Sequence, residues 1–217
     1  MVWLSVLFVA ITLLAFGFIW LATRRDRRIG WLYTGWIVIV SLLAYTGFFQ
    51  VTTAFPPRLI FVLIPAAALV TYLYRTLYAR NVPTAWLLAI HGLRLPVELG
   101  LHGLYEQKQV PVFMTFESWN FDILSGLSAL GLLAYTLLTK RELPPTLVRV
   151  WNWLGLLLLA IIVLTAILSA PSPIQQLAFD QPNVAILSFP FTLLPAVIVP
   201  TVLLAHLLAL KRLRALK

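Results

Sequence analysis

The sequence predicts an all-α integral membrane protein, a bundle of seven transmembrane helices with its N-terminus outside and its C-terminus in the cytoplasm. Three observations carry that prediction. Of 217 residues, 61% are hydrophobic and 11% charged, against roughly 45–50% and about 25% in soluble domains. Apolar runs of the ~20 residues that an α-helix needs to cross about 30 Å of hydrocarbon fill nearly the whole chain. Lys and Arg gather at alternate ends of those runs, as the orientation rule for membrane helices demands. A single domain over residues 1–217 follows, because no stretch between the runs is long enough to bury a core of its own.

The first span, 2–23, has no basic segment ahead of it and is followed at once by Arg24, Arg25, Arg27 and Arg28. It reads as a retained span rather than a cleaved signal. The second and third, 31–49 and 59–77, are separated by a turn containing Pro56 and Pro57, and the fourth, 84–105, opens after Pro83. The fifth, 121–139, stops at Lys140 and Arg141; the sixth, 150–170, lies between Arg149 and the PSP at 171–173; the seventh, 186–210, runs into Lys211 and Arg212. With the N-terminus outside, the cytoplasmic side collects the four arginines at 24–28, then Arg75, Arg80, Lys140, Arg141, Arg149, Lys211, Arg212, Arg214 and Lys217. Only Arg58 and Lys108 fall outside, and Arg94 lies within a span. Deleting one span would invert every later loop, so the asymmetry also checks the count of seven.

The net charge of +9 is accounted for by this topology, and no nucleic-acid partner is expected. The absence of cysteine excludes disulfides, zinc–thiolate sites, Fe–S clusters and thiol nucleophiles. Two outer segments, QKQVPVFMTFESWNF (107–121) and PSPIQQLAFDQPNVA (171–185), mix aromatics with carboxylates and amides. That composition suits a packed interfacial cap more than a flexible linker.

The fourth span contains AIHGLRLPVELGLHGLYE (89–106), where His91, Arg94, Glu98, His102 and Tyr105 interrupt an apolar run. Their spacing places all five within an arc of roughly 80° on one helix face. Arg94 and Glu98 are one turn apart and expected to pair, which lowers a burial cost of several kcal/mol for either alone. The seam must therefore face protein or water. Pro96 cannot donate to the carbonyl of Gly92, so a kink is expected there, and Gly92, Gly100 and Gly103 permit close helix approach. A plain lock between helices is one reading of the pair. A functional cavity is preferred, because ionisable residues inside a membrane are functional by default.

Glu117, Asn120 and Asp122 lead into the fifth span, and Asp180 and Asn183 into the seventh, all at the outward end of the seam. With Arg94, Glu98 and His102 they make up the expected ligand-binding set. A second role is compatible with the first: Asp180 and Asn183 shape a turn around Pro182, and Asn120 or Asp122 caps the fifth helix. Pro190, Pro195 and Pro200 in the seventh span deprive the carbonyls of Ile186, Phe191 and Ala196 of helical donors. An irregular helix beside a polar seam is how several transporters build a site.

Catalytic signatures are sparse. HExxH, GxSxG and P-loop patterns are absent. His91 and His102 are about 16 Å apart along one helix, too far for a three-histidine metal site. His91 and His206 differ in depth by only about 5 Å, so they are the one pair placed to ligate a haem, a subordinate expectation. Lys108, Lys140, Lys211 and Lys217 lie in loops or at span ends, which removes retinal, and the DRY and NPxxY signatures are missing. No cofactor is assigned.

HGLRLPVE (91–98), MTFESWNFDI (114–123), AFDQPN (178–183) and SFPF (188–191) together resemble an uncharacterised family of bacterial, Bacteroidetes-type polytopic membrane proteins of similar length. The resemblance covers the C-terminal two-thirds. It implies location and size and transfers no activity.

The expected function is therefore recognition or translocation of a small polar or amphiphilic ligand, in an outward-facing pocket beside the fourth span, in a bacterial cytoplasmic membrane. Arg94 and Glu98 would form the buried pair, His102 a titratable gate, and Glu117, Asp122 and Asp180 the entrance. The alternatives are a metal-assisted or acid–base enzyme acting on lipid headgroups, and an accessory subunit docking on another membrane protein through outward Trp and Phe residues. The bilayer itself is a partner in every case.

Overall fold

The computed structural model describes residues 1–215. Among them there is no strand, and the helices are α1 (Val2–Ala22), α2 (Arg27–Tyr45), α3 (Ile60–Thr76), α4 (Thr84–Gly92), α5 (Arg94–Glu106), α6 (Asp122–Thr139), α7 (Pro145–Ser169) and α8 (Val199–Ala215). α4 and α5 are two halves of one rod broken at Leu93. A π-helical turn, Leu194–Ile198, leads into α8. Among the described residues, five helices are long and apolar enough to cross a membrane: α1, α2, α6, α7 and the continuous Leu194–Ala215 segment. α3 is apolar but has 17 residues.

Local chemistry sets the boundaries. Asp26 starts α2 by accepting a hydrogen bond from the Arg28 amide at 2.8 Å, and Pro145 occupies the first turn of α7, where its missing N–H costs nothing. α6 ends where Lys140 turns left-handed at φ 54°. The break at Leu93 is where the Pro96 ring would crowd the Gly92 carbonyl, so the expected kink falls at this point.

α8 is the hub. Its apolar surface is buried almost all round, and it packs on α3, α4 and α7, with the π-helical turn against α1, α2 and α3. α2 is peripheral, tied to this core by Tyr33 Oη to Thr201 Oγ1 at 3.0 Å and by Trp36 Nε1 donating to the Ala196 carbonyl at 2.8 Å. α1 meets α5 closely at Gly100 and Gly103, and α4 meets α6 at Gly92, where any Cβ would fall within about 3 Å of a neighbouring side chain. Leu13, Val38, Leu42, Ile64, Leu127 and Leu164 are among the many large apolar side chains left facing outward.

The bundle has two chemically distinct ends. At one, the loops 107–121 and 170–188 form a cap. Gln181 Nε2 donates to the carbonyls of Tyr105 (3.1 Å) and Val110 (2.7 Å), and the amides of Val184 and Ala185 reach Gln109 O. Arg58, one of the two basic exceptions at this end, donates to Phe48 O at 2.9 Å and lies over the Phe48 ring. At the other end Lys211 donates to Tyr74 O and Leu77 O, closing the C-terminus of α3. Arg212 there reaches Val82 O and Glu142. Lys217 lies outside the described residues.

The seventh apolar run differs from expectation. Ala185–Leu187 is a short 3-10 turn, the π-helical turn starts at Leu194 and regular α-helix begins only at Val199, because Pro190 and Pro195 withhold amide donors from the run's first turns. All three carbonyls expected to be orphaned have donors. Thr192 Oγ1 serves Ile186 O (2.8 Å), the Leu194 amide serves Phe191 O (3.0 Å), and Trp36 serves Ala196 O. The prolines therefore leave none of these three carbonyls without a donor.

Candidate functional site

The seam on α4 and α5 faces inward, as its cost in hydrocarbon requires: His91, Arg94 and Glu98 are 1%, 3% and 2% exposed. Its internal pairing differs from the expected Arg94–Glu98 contact. Side chains lean toward a helix N-terminus, so Arg94, first in α5, reaches back across the break. Its Nε lies 3.5 Å from Asp122 Oδ2, and Nη2 donates to Gly155 O at 3.3 Å. Glu98 is left to Asn120, whose Nδ2 donates to Oε2 at 2.7 Å. Gly126 makes this geometry accessible: a Cβ there would sit 2.8 Å from the Leu95 amide nitrogen, so α6 touches the backbone of α5 beside Arg94.

Asn120 unites both readings of the 114–123 segment. Nδ2 also donates to Met114 O at 2.9 Å, and Oδ1 accepts the first amide of α6, that of Asp122, at 3.1 Å. One buried amide thus caps a helix and orients a carboxylate.

A cavity of about 90 Å³ adjoins this cluster. Glu98 and Asp122 line one end; Leu63 of α3, Leu159 and Val163 of α7, and Pro195 and Val199 of the last helix supply apolar walls. Met114 and Ile186, one from each cap loop, roof it. Asp122 Oδ1 and Arg94 Nη1 are buried without hydrogen-bond partners. Arg94 itself does not line the cavity, so the polar surface presented there is carboxylate.

The remaining residues of the expected set lie elsewhere. His102 Nε2 and Glu117 Oε1 form a pair 2.7 Å apart near the surface, with His102 stacked on Phe116 at 4.9 Å. Asp180 is exposed on the cap. Asn183 is fully buried but serves α7: its amide N–H donates to Ser169 O at 2.8 Å and Nδ2 to Ala166 O at 3.3 Å. The cap folds Asn183 back onto the C-terminal end of α7, whose free carbonyls take its donors.

His91 and His206 do converge, but as a pair of tilted rings in contact, with centroids 4.0 Å apart and planes at 38°, beside Trp151. Rings in contact leave no space for a porphyrin between two axial nitrogens, so haem ligation across this pair is set aside. His206 Nδ1 is bonded to Asn152 Oδ1 at 2.8 Å. Asn152 and the Gly155 carbonyl are the polar groups that sequence reasoning missed. A lone Asn in the apolar VWNWLG of α7 was the available signal for the first, and nothing marks a backbone carbonyl in advance. Among the described residues no three His, Asp or Glu side chains group as a metal site would need.

Several helices of membrane-crossing length, outward apolar side chains and an enclosed charged cluster define the class: a helical membrane protein. The chain belongs to the family of the domain of unknown function DUF8737, which matches residues 48–214. The matched region takes in α3 to α8 and the whole charged cluster. No curated protein and no solved structure matches the chain.

Proposed function

We propose that this protein is a seven-span membrane protein, N-terminus outside, that binds or translocates a small amphiphilic ligand in the cavity beside α5. The observation that carries the reading is the 90 Å³ space whose walls are apolar except for Glu98 and Asp122, with Asp122 Oδ1 unpartnered. Burying two carboxyl groups next to an unfilled space has no purpose in a helix lock, which is better served by close packing. The segregation of basic residues supports the orientation, which puts the cap outside and the cavity in the outer half of the bilayer. The resemblance noted above supports a bacterial cytoplasmic membrane.

Glu98→Gln is the discriminating variant, because glutamine keeps an oxygen to accept the Asn120 amide while removing the charge. It is expected to fold with near wild-type thermal stability and to lose ligand response, whereas Arg94→Gln, which strands Asp122, is expected to lose about 3–5 kcal/mol. Equal loss of folded protein in both variants would return the cluster to a structural role.

A further inference from the structure

We propose that the ligand is an amphiphile with a cationic amine head, and that it reaches the cavity sideways from the outer leaflet between α3 and α7. The proposal rests on the binding role above and specifies its chemistry. Axial access is closed: Met114 and Ile186 cover the cavity, and the loops that carry them are sewn together by Gln181 and by the Val184 and Ala185 amides on Gln109 O. The side wall is different. α3 and α7 each pack on α8 and both contribute to the cavity wall. Leu63 and Val163, which line it, are themselves partly exposed at the bundle surface, next to outward-facing Ile64 and Leu164.

Size and charge select the ligand. About 90 Å³ is little over half of the ~150 Å³ that accommodates a benzene ring. A headgroup and its first carbons fit, and the rest of an alkyl chain must run out through the apolar gap. The cluster holds one cation, Arg94, against two carboxylates, Glu98 and Asp122, and only the carboxylates face the cavity. A cationic amine there pairs with the carboxyl groups of Glu98 and Asp122 that line the cavity, and its N–H groups donate to their oxygens. An anionic head would be set against two carboxyl groups, and a hydroxyl would bring no charge to pair with them.

The test uses the full chain in phosphatidylcholine nanodiscs, with thermal unfolding followed by tryptophan fluorescence, and dodecylamine, dodecanol and dodecanoate as probes. Dodecylamine is expected to raise the midpoint with an apparent affinity about tenfold above that of dodecanol, the size of one charge-assisted hydrogen bond, and dodecanoate to have no effect. Asp122→Asn should abolish the preference. Because that variant also disturbs Arg94, Val163→Trp, which narrows the side opening from a residue that makes no bond to the cluster, provides a second arm and should abolish stabilisation by dodecylamine. Dodecanol or dodecanoate matching dodecylamine would overturn the amine assignment while leaving a binding cavity. Undiminished stabilisation in Val163→Trp would overturn the lateral route. No stabilisation by any of the three would overturn the binding role itself.

Discussion

Asn120 shows how much one side chain can settle. It donates to Glu98 Oε2 and Met114 O and accepts from the Asp122 amide, so a loop carbonyl, an α5 carboxylate and the start of α6 are held by one buried amide. Asn120→Asp removes both donors and sets a carboxylate oxygen against Glu98, where an N···O distance of 2.7 Å now stands. It is expected to destabilise by about 3–5 kcal/mol, read as a lowered unfolding midpoint, and a stability within 1 kcal/mol of wild type (about one mild substitution) would refute that account. From its position in MTFESWNFD, Asn120 was legible both as a cap and as a site residue. Its choice of Glu98 was not, because Glu98 had a nearer candidate partner in Arg94. What diverted Arg94 is the backward lean of helical side chains together with Gly126, which brings the start of α6 within reach.

At the scale of elements, the apolar runs located most of the rods, and Pro96 marked the break in the fourth. The seventh run was misread in its first third, where a proline-rich segment of the same composition is turn rather than helix. Hydropathy counts side chains and does not register missing amides. Those amides explain why Trp36 of α2 points its indole at Ala196 O, the carbonyl that Pro200 leaves open. Trp36→Phe should therefore cost about 1–3 kcal/mol. In a Pro200→Ala background, residue 200 supplies the helical N–H itself, so the same change should cost less than half as much. A double-mutant cycle by chemical unfolding checks this: strictly additive costs would show that the indole bond does not compensate for the proline.

The whole molecule is polarised. One end is a hydrogen-bonded cap bearing exposed Trp119 and Phe179, and the other is basic, with Lys211 and Arg212 anchoring α3 and the turn before α4. Because the chain lacks cysteine, a single introduced thiol reports its own side of the membrane. Phe179→Cys in intact cells should react with a membrane-impermeant maleimide, while Lys140→Cys should react only after permeabilisation; the opposite pattern would invert the proposed orientation. Read alone, the residues specify that the chain is helical, where its rods lie, which end is basic and which face of the fourth rod must be hidden. These follow from the free energy of moving each side chain out of water, a property that belongs to the residue and sums along the chain. Which groups pair is decided only in three dimensions. Arg94 with Asp122, Glu98 with Asn120, His91 against His206 and a roof of Met114 and Ile186 all depend on contacts between residues distant in sequence. Hydrogen bonding operates over about 3 Å, a precision that only the packed backbone supplies.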